Sequence, residues 1–246
     1  MPYIYEPKGK AGEYGKYALN LYNGCTHGCR YCYCPAIMHK TRDQFHAVGT
    51  PRFFDYPKLM EEIKQHQGKS LFLCFTCDPY QPANEEHNLT GRIIEACHHN
   101  EIKIIVLTKG GRRSEKDLGL LAKNPNLSEY GVTLTFLEDV DSLSWEPHAA
   151  LPMERIAILR KAHDMGIPTW VSLEPVIDPI QSLEIIRTTH DYVDVFKVGK
   201  WNHDKEASKI NWPKFAKDAV NLLNELGAQY YIKKDLAIFL NGFMWF

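Results

Sequence analysis

What this sequence lacks narrows it first. Its 246 residues hold no uninterrupted apolar run long enough to cross a bilayer as a helix, so no membrane span is expected. The start, Met-Pro-Tyr-Ile-Tyr-Glu-Pro-Lys, has no basic stretch leading into an apolar core, so no secretory signal is expected. No repeat, low-complexity tract or linker-like stretch interrupts the chain, which favours one domain over residues 1–246. Charge of one sign is missing too: 29 Lys and Arg face 30 Asp and Glu, for a net charge of −1. A general attraction to polyanions is thereby excluded, and any nucleic-acid contact must rest on a local patch. The seven cysteines are odd in number and crowd into one array, which argues against a disulfide framework. Reduced thiols and a cytoplasmic location are the expectation.

What is present is concentrated in Asn23-Gly24-Cys25-Thr26-His27-Gly28-Cys29-Arg30-Tyr31-Cys32-Tyr33-Cys34-Pro35. Cys25, Cys29 and Cys32 form a C-x3-C-x2-C array on a glycine-containing loop. Three thiolates there can hold three irons of a [4Fe–4S] cluster and leave the fourth iron open, whereas electron-carrier clusters use four protein ligands. A structural zinc loop is the competing reading, with Cys34 as fourth thiolate. Structural zinc draws its ligands mostly as two separated pairs, a pattern that four cysteines within ten residues fit poorly. Cys34 reads as a thiol near the metal group without being a ligand.

Apolar runs alternate with helical segments along the rest of the chain. Strands are expected at 17–22, 70–75, 103–107, 131–136, 169–173, 193–198 and 229–232, several of them continuous apolar runs suited to burial on both faces. Helices are expected at 56–67, 90–100, 114–123, 152–165, 180–187, 212–226 and about 236–240, with Ser114 as an N-cap and Gly227 as a stop. This alternation signals βαβ units and a parallel sheet. The expected fold is α/β, a partial (β/α)6 parallel barrel, with 1–16 as an N-terminal extension and about 202–246 as a C-terminal cap. In such barrels the active site gathers at the C-terminal ends of the strands. Those ends carry Cys77 and Asp78, Lys109 with Arg112 and Arg113, Thr133, Ser172 and Glu174, and Lys197, Lys200 and Trp201. Arg112 and Arg113 read by default as a solvated basic loop. His98 and His99 read as a helix C-terminus without metal, Cys97 as core, and Phe239, Phe243, Trp245 and Phe246 as an aromatic tail.

The cysteine loop, with an aromatic residue directly before its third cysteine, resembles the signature of the radical S-adenosylmethionine (SAM) enzymes. That resemblance implies Cys25, Cys29 and Cys32 as ligands of a [4Fe–4S] cluster and SAM chelated on its spare iron. It implies reductive cleavage of SAM to methionine and a 5′-deoxyadenosyl radical, which abstracts hydrogen from a substrate, with Tyr31 against the adenine. The run Thr76-Cys77-Asp78-Pro79-Tyr80-Gln81-Pro82, then Leu89-Thr90 and Leu107-Thr108-Lys109, is similar to the subgroup containing spore photoproduct lyase. On that likeness Cys77, Lys109 and Thr133 hold SAM, and Asp78 and Glu174 join them as cofactor-side candidates. An electron donor such as flavodoxin or ferredoxin and a nucleic acid or nucleotide substrate are implied as well. The chain departs from the lyases at two points: only 24 residues precede Cys25, and the lyases' hydrogen-returning cysteine aligns with Phe75. Cysteines flank Phe75 at Cys74 and Cys77. Strand alternation would put Cys74 and Phe75 on opposite faces, leaving Cys77 as the candidate hydrogen donor and Cys74 as core. The reading from a different class is a non-catalytic binding module stapled by zinc or Fe–S.

Overall fold

Short β-rich runs joined by amphipathic helices assemble, in a computed structural model that describes residues 2–240, into a parallel sheet wrapped by helices. The strands are β1 (Ile4–Tyr5), β2 (Tyr17–Leu19), β3 (Tyr22–Asn23), β4 (Thr50–Pro51), β5 (Ser70–Leu73), β6 (Lys103–Thr108), β7 (Ser128–Thr133), β8 (Thr169–Leu173), β9 (Val195–Val198) and β10 (Tyr230–Ile232). Eight of them form one sheet in the order β1-β2-β5-β6-β7-β8-β9-β10, and β3 pairs with β4 apart from it. All neighbours in the large sheet are parallel except β1 and β2. The partial barrel is therefore observed, extended by one parallel strand because Tyr230–Ile232 pairs with β9.

The register brings the C-terminal ends to one rim. Leu19 lies opposite Leu73, Thr108 opposite Val132, Thr133 opposite Ser172, and Val198 opposite both Leu173 and Ile232. Alternation sorts the side chains of each strand between two cores. Leu71, Leu73, Ile104, Val106, Val132 and Val171 belong to the large core that also takes in helix residues such as Ile93, Leu118 and Leu159. Ala18, Phe72, Ile105 and Trp170 fill a smaller inner core. Each fully buried aliphatic or aromatic side chain contributes about 1.5–3 kcal/mol. Gly131 is required by this inner packing, since a Cβ there would lie 2.2 Å from the Trp170 indole.

Four local expectations differ in the structure. The first apolar run stops pairing in the sheet at Leu19, because the Asn20 side chain donates to Tyr5 Oη (2.8 Å) and accepts from Thr76 N (3.0 Å). The fourth strand begins at Ser128, three residues early: the Ser128 hydroxyl donates to Leu121 O and Asn124 O, anchoring the strand start to the preceding helix. Ser114 does not cap its helix, since its hydroxyl turns inward to Gly111 O (2.6 Å) and the Tyr130 hydroxyl. His98 is half-buried beside Leu127 O and Ser128, and burial lowers its pKa, so it is no helix-end cation. Phe239 packs against the large core, whereas Phe243, Trp245 and Phe246 lie outside the described residues.

The sheet has two free edges, and the segment Gly9–Glu13 spans the seam between them. Lys10 Nζ pairs with Asp235 (2.7 Å), and Glu13 accepts from Tyr231 Oη (2.8 Å) and Lys234 N (3.0 Å). Among the described residues no helix is long and apolar enough to cross a membrane.

Candidate active site

The rim surrounds a cavity of about 720 Å³. All nine candidate residues lie on its wall: Cys25, Cys29, Tyr31, Cys32, Cys77, Asp78, Lys109, Thr133 and Glu174. The cysteine loop owes its shape to backbone demands and distant braces. Gly24 sits at φ +75°, and a Cβ there would come within 2.3 Å of Val48 O. Gln81 holds both sides of that turn, its amide donating to Gly24 O (3.1 Å) and its carbonyl accepting from Thr26 N (3.2 Å).

Every ligand-candidate cysteine also has its carbonyl occupied. The short helix Arg42–His46, opened by a Thr41–Gln44 capping box, lies beside the loop. Its Arg42 guanidinium donates to Cys29 O and to Cys32 O (3.2 Å), and His46 Nδ1 donates to Cys25 O (2.8 Å). Between the first two cysteines, buried His27 accepts from Arg113 Nη2 (3.0 Å) at Nε2 and turns Nδ1 toward Asp78 Oδ2 (3.5 Å). Burial lowers His27 to about 4, so it is neutral at ordinary pH. Arg113, expected as solvated, is thus a brace of the loop that also donates to Tyr80 O (2.9 Å); Arg112 is exposed.

The thiols are tuned by burial. Burial pushes Cys25 well up and Cys29 up to about 12, while a hydrogen bond with Cys34 brings Cys32 down to about 7. Buried thiols of this kind ionise when a bound cation supplies the compensating charge. They do not converge on a point: among the described residues no three His, Cys, Asp or Glu side chains could hold a single metal ion. Three thiols on one wall of the cavity are a donor set that an Fe–S cluster with one open iron can use. Cys34 lies on the same wall, and its thiol donates to Phe75 O (3.6 Å).

Around the loop, Asp78 reaches the cavity with both oxygens engaged. It accepts from Thr108 Oγ1 (2.6 Å), Lys109 N (2.7 Å) and Tyr80 N (2.8 Å), and these bonds, with His27, keep it ionised against the cost of burial. Lys109 Nζ stands 5.6 Å from the Tyr31 ring centroid; burial opposes its charge, but Cys29 and Glu146 outweigh that and raise it. Tyr31 Oη donates to Glu146, a residue the sequence reading passed over. Glu146 pairs in turn with Arg155, whose guanidinium also donates to Thr133 O (3.0 Å) and Ala150 O (2.7 Å). Glu174 accepts from Tyr14 Oη (2.6 Å) and Lys233 Nζ (2.5 Å). Lys200 and Trp201 line the cavity, whereas Lys197 lies 3.9 Å from the Trp170 ring centroid in the inner core.

Beyond β5 the chain leaves strand geometry at once. Cys74 is in the left-handed region at φ +68°, so strand alternation does not extend past Leu73. Cys74 is buried as expected, but it also lines the cavity, as Cys77 does. Phe75 stacks on Phe72 at 4.1 Å.

The family model described as the radical SAM superfamily matches residues 19–193. An uncharacterized protein of Acidianus two-tailed virus is 29% identical over 183 residues, 70% of this chain and 59% of the relative. An uncharacterized protein of Methanocaldococcus jannaschii is 25% identical over 175 residues, 70% of this chain and 64% of the relative. The chain thus spans about three fifths of the length of these curated relatives. Among solved structures, spore photoproduct lyase complexed with dinucleoside spore photoproduct superposes with a TM-score of 0.72 at 12% identity, covering 94% of this chain and 78% of that one. Streptococcus suis SuiB bound to S-adenosylmethionine gives 0.65 at 12% identity, covering 87% and 46%. At such identities the structural likeness speaks to the fold.

Proposed function

The chain belongs to the radical SAM superfamily, and from that membership we propose that it binds a [4Fe–4S] cluster through Cys25, Cys29 and Cys32 and abstracts hydrogen from a nucleotide or nucleic-acid substrate. When bound, the reduced cluster supplies the electron that splits SAM and yields a 5′-deoxyadenosyl radical. The chain's own residues bind, orient and shield. The observation that carries this reading is the cavity wall, where three thiols, the Lys109 ammonium and the Tyr31 ring stand together at the strand ends. Lys109 pairs with the carboxylate of SAM, and Tyr31, fixed by Glu146, supplies a flat face for adenine. Thr133, Cys77 and Glu174 complete the cofactor's surroundings, and Asp78 acts by tying the loop after β5 to the start of the Lys109 turn.

An anionic substrate is supported by the charges on the wall. Among the described residues Lys8, Lys10, Arg52, Lys109, Lys200 and Lys233 line the wall with two carboxylates, Asp78 and Glu174; Lys10 is paired with Asp235 and Lys233 with Glu174, which leaves Lys8, Arg52, Lys109 and Lys200 as the cations outside those pairs. Tyr33 and Trp201 provide stacking faces among these cations. A one-electron donor of the flavodoxin or ferredoxin class completes the system in a reducing compartment. The test is anaerobic reconstitution followed by reduction in the presence of SAM. The expected product is 5′-deoxyadenosine, and its absence from a fully loaded protein overturns the cluster and SAM assignment. Binding of single-stranded DNA or RNA that weakens steeply with salt supports the substrate class; salt-insensitive or absent binding removes a polynucleotide.

A further inference from the structure

Between the cysteine loop and β4 lies the short helix Arg42–His46, and one face of it has a single target. Positions i, i+3 and i+4 of a helix share a face, and here they are Arg42, Phe45 and His46. Phe45 is buried and anchors the helix. Its carbonyl accepts from Cys25 N (3.3 Å), and His46 Nδ1 donates to Cys25 O (2.8 Å). Arg42 spreads its two terminal nitrogens over Cys29 O and Cys32 O. One helix of five residues therefore holds Cys25 N, Cys25 O, Cys29 O and Cys32 O, backbone groups of all three ligand-candidate cysteines. Cys29 O also accepts from Cys32 N (3.0 Å), so both its lone pairs are used and the guanidinium bridges the two ends of that turn.

Neutral donors would be enough to hold a loop in shape. Arg42 brings a full charge instead, and among the described residues no carboxylate pairs with it. Lys109, the other cation beside the thiols, has Glu146 to answer its charge. We propose that Arg42 is a positioning residue whose charge sets the reduction potential of the group bound by the three cysteines. It thereby brings that group within reach of a flavodoxin- or ferredoxin-class donor. The proposal rests on the [4Fe–4S] reading above. The step concerned moves one electron from the donor to the cluster, and no bond or proton changes hands. The loop then holds one more negative charge, and a fixed cation outside the ligands favours that form. The guanidinium also offsets the negative ends of the Cys29 and Cys32 peptide dipoles. Arg42 is exposed, so solvent screens part of its charge and keeps the effect moderate.

The unmodified protein, Arg42→Gln and Arg42→Lys are reconstituted anaerobically, assayed for iron and sulfide, and titrated redox-wise by electron paramagnetic resonance. Glutamine keeps a hydrogen-bond donor and removes the charge, whereas lysine keeps the charge and removes the fork. At equal iron content, the reduced-to-oxidised ratio of Arg42→Gln at fixed poise is expected to fall about tenfold, which is about 59 mV for one electron. Arg42→Lys is expected to recover most of that shift. Formation of 5′-deoxyadenosine by Arg42→Gln falls with flavodoxin as donor and returns with titanium(III) citrate. An unchanged potential in Arg42→Gln at full iron content overturns the proposal while the radical reading stands, as does an equal shift in Arg42→Lys. Loss of iron from Arg42→Gln overturns it too, since Arg42 would then serve only to staple the loop. If the unmodified protein takes up no iron, the radical reading falls and this proposal falls with it.

Discussion

Glu146 and Arg155 form an ion pair that water does not reach, with the guanidinium 2.5 Å from the carboxylate and each side chain no more than 1% exposed. The pair stands behind the active-site wall, holding Tyr31 on one side and Thr133 O on the other. Removing one partner strands a buried charge, which costs about 3–5 kcal/mol. Arg155→Met is expected to lower unfolding stability by that amount in denaturant titrations. Glu146→Gln, which keeps a hydrogen-bond acceptor, is expected to lower it less.

The same pair sets an acid limit. Burial tends to raise the Glu146 carboxyl, but Arg155 and then Lys109 outweigh it and hold it below the usual carboxylate range. A depressed folded value means the pair stabilises fully above the unfolded pKa of about 4.3 and is lost as pH falls through the lower folded value. The apoprotein's stability is expected to drop on acidification below about pH 4. In Glu146→Gln the part of that drop carried by this residue disappears, read as a flatter stability–pH curve.

Gly24→Ala tests the shape of the cysteine loop. The left-handed φ and the 2.3 Å approach of a Cβ to Val48 O leave no room for a methyl group. Strain of about 1–3 kcal/mol is expected at the loop. Circular dichroism stays native while iron bound after reconstitution falls sharply.

Alanine at Cys25, Cys29 or Cys32 is expected to abolish stable iron loading. Cys34→Ala is expected to retain it, because the Cys34 thiol is bonded to Phe75 O. Loss of iron in Cys34→Ala would instead favour a four-thiolate staple.

Lys109→Met leaves the Tyr31 ring and removes the ammonium beside it. A charged hydrogen bond contributes about 1.5–3 kcal/mol, so SAM affinity is expected to fall about tenfold to a hundredfold by calorimetry. Iron content is expected to stay unchanged.

The parts of the site visible in the sequence are those whose signals are local. C-x3-C-x2-C is a spacing, and Lys109, Thr133 and Glu174 follow apolar runs that mark strand ends. What escaped depends on contacts far apart in the chain. Gln81 reaches the cysteine loop across 57 residues, and Arg113 reaches His27 across 86. Glu146 and Arg155 meet through the start of a helix, with no pattern to announce them. Arg42 and His46 carried a legible sign, the capping box at Thr41–Gln44, but nothing showed where that helix would lie. Cys74 misled for a different reason: periodicity describes a strand only while it lasts, and this one ends one residue earlier.

The strap across the barrel seam bears on how the cavity is built. Its three contacts join residues 225, 218 and 221 positions apart, a separation far beyond that between adjacent parallel strands. Closing so long a loop is rewarded only once both edges of the sheet are in place, so this wall is expected to order after the sheet. Lys10 is half exposed, and none of the three bonds is a rung of the parallel ladder. The cavity wall at the seam is thus fastened by side chains and one backbone amide, separately from the sheet that frames it.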